Sequence, residues 1–203
     1  MDLASLRKAV ASICEVMDAN RDYLIELDQQ NGDGDLGISM CSGFHAVDAF
    51  LRETEETDLG KLMMKCGGTF NEAAPSSLGT ILSFGFMGMA KPLKGKTQAS
   101  FAEFADAFQA GLERIMQRAD SKPGQKTVLD ALCPAAEVMK AGADGDPAAT
   151  LQAAAKAAYE GSEATRNMIA VHGRAARYGE KSIGMLDGGS VAGRLIIEGI
   201  AKA

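Results

Sequence analysis

The chain has 203 residues, 46% of them hydrophobic and 24% charged, the balance of a folded globular domain and far from that of a disordered chain. Its formal charge of −6, with no run of lysines and arginines, excludes a surface that tracks a nucleic-acid backbone. The most apolar stretch, Leu78 to Ala90, falls short of the roughly 20 residues a bilayer span requires, so neither nucleic acid nor membrane is an expected partner.

Cys14, Cys41, Cys66 and Cys133 lie far apart, form no C-x-x-C pair and have no closely spaced His to complete a zinc site. With no secretory signal read at the N-terminus, they are expected to be free thiols of a cytoplasmic protein folding as a single domain over 1–203.

Leu3, Leu6, Val10, Ile13, Met17, Leu24 and Leu27 recur at helical spacing with one polar interruption at Asn20, and predict one long amphipathic helix. The pattern stops at Gln29-Gln30-Asn31-Gly32-Asp33-Gly34-Asp35-Leu36-Gly37, where glycines and short polar residues favour a tight loop. Met40, Phe44, Val47 and Leu51 mark a second helix, and Leu59, Leu62, Met63 and Cys66 a third. Pro75-Ser76-Ser77 cap a fourth that runs from Leu78 to Ala90. Ser100 and Glu103 form a capping box ahead of Phe101, Phe104, Phe108, Leu112 and Ile115, the fifth.

After the turn Lys122-Pro123-Gly124-Gln125, Thr127 and Asp130 again have capping-box spacing. Leu129, Leu132, Ala136 and Met139 continue as a sixth helix, with Pro134 expected to kink it. Asp146-Pro147 start a seventh, alanine-rich to about Ala164. Asp187-Gly188-Gly189-Ser190 lead into Val191, Leu195, Ile196 and Ile200, the eighth. Eight helices and no strand predict an all-α fold.

In Asp28-x-x-x-x-Asp33-x-Asp35 three carboxylates fall within eight residues at a helix end, a cluster that repels itself unless a cation is bound. A solvated acidic turn is the plain alternative. An EF-hand is excluded, because a loop starting at Asn31 has Leu36 and Ser42 where that motif has its glycine and its glutamate. Hard oxygen ligands short of a full cage suit Mg²⁺, which completes its octahedron with water and phosphate.

Leu27-Asp28, three residues, then Gly32-Asp33-Gly34-Asp35-x-Gly37 resembles the nucleotide-binding domain of dihydroxyacetone kinases. Pro123-Gly124-Gln125-Lys126-Thr127-Val128-Leu129-Asp130-Ala131-Leu132 is similar to that family's second conserved stretch. Gly173-Arg174-Ala175, Gly179 to Gly184 and Asp187 are similar to its third. The resemblance implies a barrel of eight amphipathic antiparallel helices with ADP or ATP at one rim. Asp28, Asp33 and Asp35 would hold a pair of Mg²⁺ ions that bridge the nucleotide phosphates, with Leu36, Gly37, Ile38 and Ser39 close by. Ser76 and Ser77 would meet phosphate at a helix N-terminus, or serve only as a cap. Ala119, Thr127 and Val128 match positions beside the adenine, and Arg174, Asp187, Gly188 and Gly189 match positions that close over the nucleotide.

The sequence departs from the family at Leu36, usually His, at Ser39, where Asn is usual nearby, and at Gly188, usually Pro. These changes spare the metal ligands but replace a polar phosphate contact with an apolar one. His45 and His172 read as packing or surface residues, so nothing here holds a ketose covalently. The resemblance therefore implies a separate sugar-binding subunit as partner, with either a phosphohistidine protein of the phosphotransferase system recharging bound ADP or free exchange of ATP. A non-catalytic nucleotide-binding regulator is the alternative that Leu36 favours.

Overall fold

The structure is a computed structural model that describes all 203 residues. It is all-helical and has no strand. Its helices are α1 (Leu3–Ala19), α2 (Arg21–Gln29), α3 (Leu36–Glu53), α4 (Leu59–Ala73), α5 (Ser77–Leu93), α6 (Phe101–Ala119), α7 (Leu129–Ala141), α8 (Pro147–Ala164) and α9 (Gly188–Lys202), with short 3₁₀ turns at Thr165–Asn167 and Ala175–Ser182.

Nine helices replace the expected eight because the first periodic run breaks at Asn20. That residue leaves helical geometry, at φ −114 and ψ 8, and its side-chain amide donates to the Val16 carbonyl at 2.8 Å. A short polar side chain competing for backbone partners is a common cause of such a break. The other boundaries follow local chemistry. Ser100 and Glu103 make the full reciprocal box, Asp146 caps α8 ahead of Pro147, and Ser76 accepts from Gly79 N at 3.1 Å to start α5. Helix α7 runs through Pro134, which has no N–H to give the Asp130 carbonyl. Helix α8 closes over that point at Gly161, where any Cβ would overlap the Asp130 oxygen.

Successive helices pack side by side: α3 on α4, α4 on α5, α5 on α6, α6 on α7, α7 on α8 and α8 on α9. Helix α9 then packs on α1 and α1 on α3, which closes the order, while α2 lies against α3. Close approaches at glycines give the directions. Gly67 meets Ser83 while Gly60 meets Ala90, and Gly85 meets Ile115 while Gly88 meets Ala110, so α4, α5 and α6 alternate in direction. Gly142 on Thr150 and Gly161 on Asp130 make α8 antiparallel to α7.

A single apolar cluster of 44 buried residues runs through these helices. Toward one end it leaves a cavity of about 580 Å³ lined by Leu6, Phe44, Phe86, Phe104, Leu112 and Ile196 among others. None of the sequence-predicted site residues lines it. Asp33, Asp35 and Arg174, the pair Leu36 and Gly188, and the pair Val128 and Gly189 lie on the connections 30–35, 120–128 and 165–187 and the helix starts that follow them, with Asp28 at the end of α2 beside Asp33 and Asp35. No helix is long and apolar enough to cross a membrane. The four cysteines are free, and burial pushes their thiols up to about 11 or 12, far from thiolate reactivity.

Candidate functional site

The acidic loop forms because α2 ends at Gln29 and α3 begins at Leu36 with only six residues between them. Asp28, still on α2, organises the turn. Its Oδ2 accepts from the N–H groups of Gly34 at 2.7 Å and Asp35 at 3.2 Å. Gly34 adopts φ +79, and a Cβ at Gly32 would overlap Asp28 Oδ1, so both glycines are required by the fold of the loop.

The result brings one oxygen from each of Asp28, Asp33 and Asp35 within 4.8 Å of one another. Asp28 is partly buried and the other two are exposed. Desolvation in the loop, then the neighbouring Asp33 and Asp28 charges, raise the Asp35 carboxyl above its ordinary value. One cation touches the cluster, the Arg174 guanidinium, which donates to Asp33 Oδ2. A set of hard carboxylate oxygens with a single guanidinium against it fits a divalent cation of the magnesium or calcium type.

The surroundings are built from the other end-loops. Leu36 and Gly37 are buried at the start of α3, Ile38 is exposed and Ser39 is buried. Gly188, at the start of α9, lies directly against Leu36, and Gly189 lies beside the Val128 backbone. Asp187 caps α9 by accepting from Ser190 N at 2.6 Å. Burial, opposed by that N–H and reinforced by the Asp130 charge, pushes its carboxyl up to about 7. Loop 120–128, α9 and the acidic loop are thus brought together. Ser76 and Ser77 lie at the N-terminus of α5, with the Ser76 hydroxyl committed to its own helix. Ala119 ends α6 just before Asp120, and no contact ties either serine or Ala119 to the aspartates.

The Thr127 and Asp130 pair is half of a capping box. Asp130, 4% exposed, reaches back to Thr127 N at 2.6 Å and also accepts from Gly124 N at 2.5 Å. Thr127 Oγ1 accepts from Leu129 N at 3.2 Å. His45 pairs with Asp18, and His172 contacts Gln125 Oε1 at 2.9 Å.

Sequence reading missed Lys126. It is 2% exposed, has a positive φ of 60, and is held by backbone carbonyls of the 165–187 segment. Burial lowers its pKa below the usual lysine value. A lone lysine between Gln125 and Thr127 carries no sequence signal for burial, since lysine is among the residues least often found inside.

Residues 30–202 match the DAK2 domain. The chain is 32% identical to the ADP-binding subunit DhaL of PEP-dependent dihydroxyacetone kinase 2 from Listeria innocua, an alignment covering 100% of this chain and 97% of the relative. It is 27% identical to the corresponding subunit of the PEP-dependent dihydroxyacetone kinase of Escherichia coli, over 93% of this chain and 91% of that one. It is also 30% identical to human triokinase/FMN cyclase, of which it spans 35%. Among solved structures, the dihydroxyacetone kinase of C. freundii in complex with AMP-PNP and Mg²⁺ superposes with a TM-score of 0.78 at 23% identity, over 98% of this chain and 34% of that one, a likeness of fold.

Proposed function

Because the chain belongs to the DAK2 domain family of dihydroxyacetone kinase L subunits, we propose that it is the ADP- or ATP-holding half of a two-part phosphotransferase. The acceptor, dihydroxyacetone or a related small ketose, sits on a separate sugar-binding subunit. The closed order of helices is read as an eight-helix barrel with α2 laid beside it, and the rim where these end-loops meet as the nucleotide site.

The observation that carries this reading is the convergence of Asp28, Asp33 and Asp35 oxygens within 4.8 Å. Asp28, Asp33 and Asp35 would hold a pair of Mg²⁺ ions, which would supply neutralisation of phosphate charge. The rest belongs to the chain's own residues. Asp28 fixes the loop through the Gly34 and Asp35 N–H groups, and Arg174 offers a forked cation matched to phosphate oxygens. Leu36 to Ser39, Ser76 and Ser77 stand at helix N-termini whose N–H groups suit an anion. Ala119, Thr127 and Val128 flank the base, and Asp187 to Gly189 close the far side. The similar subunits of Listeria innocua and Escherichia coli are ADP-binding parts of PEP-dependent kinases, which supports resident ADP recharged by a phosphohistidine protein.

Calorimetry of ADP binding with Mg²⁺ and with excess EDTA tests the site: binding is expected only with the metal, and equal affinity in both refutes the reading. Phosphoryl transfer in the presence of the cognate sugar-binding subunit tests the activity. A regulator that binds nucleotide without transfer is the second reading, favoured by Leu36, an apolar side chain buried against Gly188 at the position where the family usually has His. Tight Mg-ADP binding with no transfer would select it.

A further inference from the structure

The segment between α8 and α9 stands apart in what holds it. The main apolar cluster takes no residue between Ala158 and Leu186, and Ala170 is the one buried apolar side chain in that stretch, so the fold of 165–185 rests chiefly on polar contacts. Val171 N donates to Gln125 O at 3.3 Å and Gly184 N to Arg166 O at 2.7 Å. Ser182 Oγ accepts from Ala170 N at 2.9 Å and donates to Gly179 O at 2.6 Å. Most of the remainder converges on one side chain. Lys126 Nζ donates to Thr165 O at 2.9 Å, Ser182 O at 2.7 Å and Met185 O at 2.7 Å, with Met168 O at 3.3 Å.

Those carbonyls come from both ends of the segment. Thr165 O and Ser182 O also accept from Met168 N and Met185 N, so the ammonium seals two turns at once. Its own loop is anchored to α7, because Asp130 takes the N–H groups of Gly124 and Thr127. No carboxylate contacts Lys126, so three N–H donors face backbone oxygens alone. A lysine kept for packing would be replaced at no cost by a methionine of similar length. Here the buried donors tie two distant stretches of chain to a fixed loop. The segment they gather is the one that carries Arg174 to Asp33.

We propose that Lys126 is a positioning residue for the metal and nucleotide site: by gathering both ends of the 165–187 segment on one ammonium, it closes that segment into the loop that presents Arg174 to the acidic cluster. The ligand in this proposal rests on the functional reading above, whereas the closure itself rests on the hydrogen bonds alone.

The test compares the parent, Lys126→Met, which removes the donors, and Lys126→Arg, which keeps the charge and donors. Hydrogen–deuterium exchange reads the segment and calorimetry with Mg-ADP reads the site. Lys126→Met is expected to exchange faster over 168–186 while α4, α5 and α6 stay protected. If the closed segment falls to about a tenth of the molecules, Mg-ADP affinity falls about tenfold. Lys126→Arg is expected to recover a large part of both. Parental protection and affinity in Lys126→Met overturn the proposal, as does loss of the whole fold in that variant, or a Lys126→Arg no better than Lys126→Met. A parent that fails to bind Mg-ADP refutes the functional reading instead, and the exchange data then decide the role of Lys126 by themselves.

Discussion

The Arg174 guanidinium donates to the Asp33 carboxylate across 141 positions of sequence, and it is the only cation in contact with the three clustered aspartates. Both side chains are about half exposed, and an exposed pair of this kind contributes at most about 1 kcal/mol. Its consequence is positional. It sets a phosphate-binding type of side chain next to oxygens of a metal-binding type, and it links the 165–187 segment to the acidic loop.

Asp33→Asn and Asp35→Asn separate a metal site from a solvated acidic turn. Each change removes an anionic ligand, so Mg-ADP affinity is expected to fall by more than the roughly 10–100-fold that loss of an outer-shell partner costs. The apo protein is expected to melt at or slightly above the parental temperature, because the Asp35 carboxyl is already raised by its desolvation and by Asp33 and Asp28. Thermal melts beside calorimetry check both halves. Variants that bind Mg-ADP like the parent would leave only an acidic turn.

Arg174→Met is expected to leave the unfolding free energy of the apo protein within about 1 kcal/mol of the parent, the ceiling for an exposed pair, while weakening Mg-ADP. Arg174→Lys is expected to recover little, since a point charge does not reproduce a planar fork. Equal nucleotide affinity in all three proteins would detach Arg174 from the site.

How far the sequence reveals these arrangements depends on how local their causes are. The box at Ser100 and Glu103, the cap at Asp146 and the aspartate spacing are set within a few residues, and each was readable. The break at Asn20 showed only as a polar interruption in an otherwise helical pattern. Whether such a residue bends, caps or merely faces solvent depends on where its amide finds a carbonyl. Lys126 was not legible at all. Its burial is decided by carbonyls from Thr165 to Met185, which reach it only once α7, α8 and α9 are packed. For Ala119, Ser76 and Ser77 the expectation came from the match to the family's pattern alone, and the contact the structure gives Ser76 is local, the cap on Gly79 N.

Asp130→Ala tests whether the 120–128 loop is fastened through α7. The carboxylate accepts from Gly124 N and Thr127 N, and each N–H left without a partner costs about 1–3 kcal/mol. Urea unfolding is expected to show a loss of that order per donor. Asp130→Asn, which keeps one acceptor oxygen, is expected to lose less. Equal losses in the two variants would mean that the carboxylate acts through its charge and not through these two bonds.

The pH dependence of stability offers a separate reading of Asp187. Its carboxyl is pushed from the ordinary 3.8 up to about 7, chiefly by burial, so over that interval the native state keeps a proton that the unfolded chain has released. Stability rises with pH only where the unfolded state binds more protons, and here the reverse holds. The contribution of Asp187 is therefore fully present below 3.8, lost progressively as pH rises through about 7, and constant above that. Asp187→Asn keeps an oxygen able to accept from Ser190 N, and asparagine caps helices about as well as aspartate. The variant is thus expected to retain α9 while losing this part of the pH slope. Other groups titrate in the same range, so the quantity to follow is the difference in unfolding free energy between variant and parent, measured in urea at half-unit steps of pH. That difference should grow in favour of Asp187→Asn between about 4 and 7 and then level off. A flat difference would place the Asp187 carboxyl in the ordinary range.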